Sequence, residues 1–60
     1  MFIATLQNNA ITFYLRGTTW AFSANRADRF ETEEGVKAAI EKAAKFMKKS
    51  MVKKIVISKV

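Results

Sequence analysis

Two candidate turns, Asn8-Asn9 and Gly17-Thr18, divide the first 24 residues into three short segments whose apolar side chains fall on one side. No other feature limits the fold as tightly. A two-residue type I′ turn needs positive φ at both central positions and favours Asn or Gly, so a turn at Asn8-Asn9 sets Leu6 opposite Ile11, Ala4 opposite Phe13 and Phe2 opposite Leu15. A type II′ turn takes Gly first, so Gly17-Thr18 sets Leu15 opposite Trp20, Phe13 opposite Phe22 and Ile11 opposite Ala24. Both turns collect the same apolar face, and a slip of one residue would scatter it. A three-stranded meander is expected, with strand 1, "MFIATL", apolar on both sides for most of its length and hence central.

After the polar connector "SANRAD", the spacing predicts a helix from about Glu33 to Lys49. Thr32 is placed to cap it, and Glu33 and Glu34 oppose the positive end of the helix dipole. Gly35 stands where a capping box would carry Glu or Gln, and nothing in the sequence accounts for it. Val36, Ala39, Ile40, Ala43, Phe46 and Met47 form an apolar stripe that can cover the meander, with Phe30 closing one end. The last segment, "VKKIVISKV", reads as a fourth strand with Ile55 and Ile57 inward, although Val52, Val56 and Val60 offer the opposite choice. A right-handed crossover runs this strand parallel to strand 1 and beside it. The expected fold is α+β: one domain, residues 1–60, built β-β-β-α-β, with a single-layer four-stranded mixed sheet in the order 4-1-2-3 and one amphipathic helix packed on one face.

That order leaves strands 3 and 4 as edges. Strand 4 carries Lys53, Lys54 and Lys59, the usual protection against edge pairing, whereas "TTWAFS" carries no charge. The outer face, with Ile3, Thr5, Thr12, Tyr14, Ala21 and Ser23, is mildly apolar and lies beyond the reach of a single helix. A chain of 60 residues without disulfides is close to the lower limit for folding alone. A homodimer or higher oligomer is therefore expected through the strand 3 edge or the outer face, with Tyr14, Ile3, Thr19 and Ala21 as interface candidates, against the alternative of a monomer with a semi-polar sheet face.

The chain has neither Cys nor His, which removes disulfides, Cys/His zinc sites and imidazole catalysis. Ser23, Ser50 and Ser58 have no evident base. The acids Asp28, Glu31, Glu33 and Glu34 are explained by dipole compensation at the helix start, and a single-layer sheet supplies no cleft in which they could act as a pair. Gly17 and Gly35 stand alone, so no glycine loop cradles phosphate. The reading is of a non-enzyme without metal or cofactor. No run approaches the roughly 20 apolar residues of a membrane span, and the chain reads as a complete, soluble protein of a bacterial cytoplasm.

The charge is uneven. Residues 1–34 carry three arginines against four acids, and residues 35–60 carry eight lysines against Glu41. "KAAKFMKKSMVKK", Lys42 to Lys54, holds six lysines and no acid. On the expected helix, Lys37, Lys42, Lys45, Lys48 and Lys49 fan across about 140° opposite the apolar stripe. A solvated polar face would look the same, and Glu33 with Lys37 and Glu41 with Lys45 form favourable i,i+4 pairs. Lys53 and Lys54, however, continue the positive field past the helix, where the dipole asks for nothing. Such a patch attracts phosphate backbones or an acidic protein. Stacking platforms are missing, since Trp20 and the phenylalanines fall on core positions and only Tyr14 is free, and Lys in place of Arg favours diffuse attraction. Nucleic-acid binding, if present, is expected to be weak, sequence-independent and strongly salt-sensitive.

The stretch "ANRADRFETEEGVKAAIEKAAKFMKK", residues 24–49, resembles a pattern of small uncharacterised proteins of phages and prophages of Gram-positive bacteria: strands, then a basic residue, Phe, a Thr or Ser cap, two acids and a Lys/Ala-rich helix. Gly35 replaces the acid or Ala common in that pattern. The resemblance implies a product that binds and blocks a host protein, nucleic acid or signalling molecule. Three readings follow: a basic binding module for a host macromolecule, a nonspecific nucleic-acid binder, and an oligomer that sequesters an anionic nucleotide between subunits.

Overall fold

The computed structural model describes residues 1–60. Three strands come first, β1 (Phe2–Asn8), β2 (Ile11–Arg16) and β3 (Thr19–Ala21). Two helices follow, α1 (Glu33–Ala44) and the single-turn α2 (Lys49–Val52), and β4 (Ile55–Lys59) ends the fold. A short 3₁₀ turn, Ala24–Arg26, lies in the connector after β3. The sheet order is β3-β2-β1-β4, the expected order read from the other edge.

The second hairpin begins in the expected register, with Leu15 opposite Trp20 and Gly17 at φ 60°, as the first residue of a type II′ turn requires. However, β3 ends at Ala21, so the expected pairings of Phe13 with Phe22 and Ile11 with Ala24 do not form, and Ala24 enters the 3₁₀ turn. The first hairpin turns one residue later than expected, at Asn9-Ala10, where φ is 52° and 66°. Leu6 consequently faces Phe13, and Ile11 faces Asn8 at the tip. Each partner moves by two residues, so the same side chains keep the inner face. The shift lets Ala4 and Leu15, both fully buried, meet Val36 and Ala43 in the core, where small residues admit large ones.

The fourth strand corrects the expected direction. β4 runs antiparallel to β1, with Leu6 opposite Ile55 and Phe2 opposite Lys59, so the sheet is antiparallel throughout and not mixed. The cause is the connector. It carries the chain back along the sheet before α1 begins: Asp28 N–H donates to Leu15 O at 2.9 Å, and Phe2 and Phe30 exchange backbone hydrogen bonds of 2.7 and 2.8 Å. Asp28 Oδ2 also accepts from Gly17 N–H at 2.7 Å, tying the connector to the β2-β3 turn. The helix therefore starts beside the beginning of β1 and the last strand must run home.

Thr32 caps α1 as expected, its Oγ1 accepting from Gly35 N–H at 3.1 Å. A Cβ on Gly35 would meet Thr32 Oγ1 at 3.4 Å and Phe30 at 3.6 Å, ordinary contact distances, so the packing here does not demand glycine. Val36 and Ala43 are buried, and Ala39, Ile40 and Met47 pack against the core together with Ile55 and Ile57. The isoleucines of β4 thus face inward, and Val56 faces solvent.

The helix is shorter than its periodicity predicts, ending at Ala44 instead of Lys49. A 17-residue helix would be about 25 Å long at 1.5 Å per residue, whereas the four steps from Phe2 to Leu6 that β4 must pair span only about 14 Å. A full-length helix would carry the chain well past the start of β4. Instead Phe46 and Met47 donate to Ala43 O and Ala44 O in tight i→i−3 bonds, and Lys48 is extended at φ −73°, ψ 146°. Phe46, expected in the core, is left 76% exposed.

Candidate functional site

The early end of α1 rearranges the lysines. Lys42 lies in its last turn and Lys45 follows it, Lys48 and Lys49 open α2, and Lys53 closes it. With Lys54, all six are exposed. The expected fan on one helix is therefore a helix end, a turn and a second helix, and the lysines gather at the end of the molecule where β4 starts. Of the side-chain hydrogen bonds present, one comes from a lysine, Lys54 Nζ to Asn8 Oδ1 at 3.4 Å. The four acids from Asp28 to Glu34 sit around the start of α1 together with Arg26, Arg29, Lys37 and Lys59, so that end is balanced and the excess positive charge lies at the other.

Beside the lysines the sheet is left partly uncovered. A groove of about 240 Å³ lies between the meander and the α1–α2 turn, lined by Leu6, Phe13 and Trp20 on one side and Met47, Lys48 and Met51 on the other, with Asn8 at its edge. Trp20 Nε1–H donates to Met47 Sδ at 3.3 Å. This contact joins the half-buried Met47 to the indole of β3. Phe13 and Phe22 pack with ring centroids 5.1 Å apart, tilted by 50°, yet Phe22 is 75% and Ile11 48% exposed. Both were expected in the core. The apolar face is as wide as the pattern predicted, and the shortened helix does not cover all of it.

The proposed interface residues divide. Thr19 is exposed, Tyr14 and Ala21 are half-buried, and Ile3 is only 6% exposed, offering little surface to a partner. On the β3 side, Arg16, Thr19, Ala21, Phe22 and Arg26 border a shallow polar hollow with Trp20. There is no cluster of three or more His, Cys, Asp or Glu side chains able to hold a metal ion, and no helix is long and apolar enough to cross a membrane.

Sequence periodicity pointed to the lysines and missed the groove. The signal available was a length mismatch: the apolar pattern of the helix ran longer than the strand it had to accompany. Comparison with protein-family models, curated proteins and solved structures finds no match for this chain.

Proposed function

We propose that this chain is a small, non-enzymatic, basic binding module of phage or prophage type that acts by binding an acidic macromolecule of a bacterial host. The observation that carries this reading is the convergence of six exposed lysines on one end of the fold, beyond what helix-dipole compensation needs. Phe13, Trp20, Met47 and Met51, which line the groove beside Lys48, supply apolar contact. A concave surface combining desolvatable aromatic groups with a charged rim is the usual anatomy of a protein-binding site.

A nonspecific nucleic-acid interaction is the second reading, favoured by the exposure of Phe22 and Phe46, which the sequence pattern had assigned to the core. Exposed aromatics within a basic field can stack on bases. Sequestration of an anionic nucleotide would need a site between subunits.

The test is affinity capture from bacterial lysate, with and without nuclease, using the chain and its Lys45→Glu, Lys48→Glu, Lys49→Glu triple variant. Capture that survives nuclease and falls by about tenfold or more in the variant supports a protein target, on the scale of removing several charges from an interface. Capture lost to nuclease transfers the reading to nucleic acid, and binding to labelled DNA or RNA should then weaken steeply between low and moderate salt. Undiminished capture by the triple variant removes the lysines from the function.

A further inference from the structure

We infer that the groove between the meander and the α1–α2 turn docks an amphipathic helical segment of a partner protein, one bearing acidic side chains beside its apolar stripe. The inference deepens the reading above and rests on it, because the same lysines border the groove.

Shape and chemistry select this occupant. The groove, at about 240 Å³, is small against the roughly 300–1,000 Å³ of typical ligand sites. It takes a few side chains rather than an entire small molecule. Its walls are the side chains of Leu6, Phe13, Trp20, Met47 and Met51, so recognition runs through apolar anchors at helical spacing, as when a helix lies in a groove, and not through main-chain pairing. Met47 and Met51 are unbranched and polarizable, and such residues adapt to varied apolar partners.

Charge decides what flanks those anchors. Lys48 lines the groove, and Lys54 is held at its edge by Asn8. No acid is among the lining residues. A partner with Glu or Asp beside its anchors meets complementary charge, and a neutral or basic one does not. A second copy related by two-fold symmetry would set lysine against lysine, because four of this chain's five acids lie at the opposite end of α1 and only Glu41 lies among the lysines. Nucleic acid fits the groove less well. Stacking wants an open aromatic face, whereas the groove's two aromatics are half-buried, Trp20 bonded to Met47 and Phe13 packed against Phe22.

Trp20 is the sole tryptophan and lies in the groove, so its emission reports occupancy. The full chain is titrated with a synthetic peptide carrying Leu at i, i+3, i+4 and i+7 and Glu elsewhere, with a scrambled peptide of the same composition, and with a single-stranded oligonucleotide. The patterned peptide is expected to shift Trp20 emission to the blue and to bind about tenfold more tightly than the scrambled one, the scale of one good anchor. Met51→Gln, with its circular dichroism unchanged, should weaken the patterned peptide by about tenfold, and Lys48→Glu, at an exposed lining position, serves as the second variant should Met51→Gln misfold. Equal binding of the two peptides with Trp20 unmoved overturns the groove while leaving the lysine reading intact. Failure of both peptides at low salt overturns both. An oligonucleotide that moves Trp20 more strongly than the patterned peptide, or a self-association abolished by Met51→Gln, assigns the groove to another occupant and overturns the inference.

Discussion

Ala10 holds the most conspicuous conformation for its type, at φ 66° in the second central position of the β1-β2 turn. A left-handed conformation costs an L-residue with a Cβ about 1–2 kcal/mol, and glycine escapes this cost. Ala10→Gly is therefore expected to raise stability by about 1 kcal/mol, read as a higher urea midpoint with unchanged slope. Gly17, at φ 60° with open space where a Cβ would stand, makes the reverse case. Gly17→Ala should lose about 1 kcal/mol through backbone strain alone. A stability loss in the first variant, or none in the second, would contradict the turn geometry. Local rules read Gly17 correctly because glycine announces its conformation. They misplaced the first turn because Asn8-Asn9 and Asn9-Ala10 are both workable, and only the packing of Ala4 and Leu15 beneath Val36 chose between them.

At the scale of elements, α1 shows how tertiary length overrides periodicity. Val36 and Phe46 occupy the same predicted stripe, yet Val36 is fully buried and Phe46 is 76% exposed. Val36→Ala should cost about 1–3 kcal/mol, the range for removing buried methyl groups. That is a large share of the roughly 3–9 kcal/mol expected of a chain of 60 residues at ordinary stability per residue. Phe46→Ser should change stability by less than about 0.5 kcal/mol, as surface substitutions do. Thermal or urea unfolding of the two variants checks the pair. Equal losses would mean that α1 continues past Ala44 in solution. The cap at Thr32, the isoleucines of β4 and the central place of β1 were legible from residue pattern, whereas the strand order was reached through a parallel crossover that the fold does not use. The helix end was not, since no Gly or Pro marks it and the lysines around it are good helix formers.

For the whole molecule, six residues form the buried core and only Leu15 and Val36 are large side chains with almost no exposure. So thin a core leaves the uncharged Thr19–Ala21 edge as the natural place to extend the sheet. We expect self-association through that edge to appear in sedimentation velocity as a dimer at high micromolar concentration. Thr19→Lys, a charge on an edge strand, should then return it to monomer. A monomer at that concentration would remove the proposal without touching the groove. The amino-acid sequence alone determined which side chains share the apolar face, where the helix begins, and that the positive charge lies in the second half, because alternation, capping and charge are local properties. Only the tertiary structure decided that β4 runs antiparallel, that α1 stops at Ala44, and that Phe22 and Phe46 stay in water. Each of these follows from the connector's return along the sheet, through Asp28 to Phe30, which set where the helix started and so how much of the face it could cover.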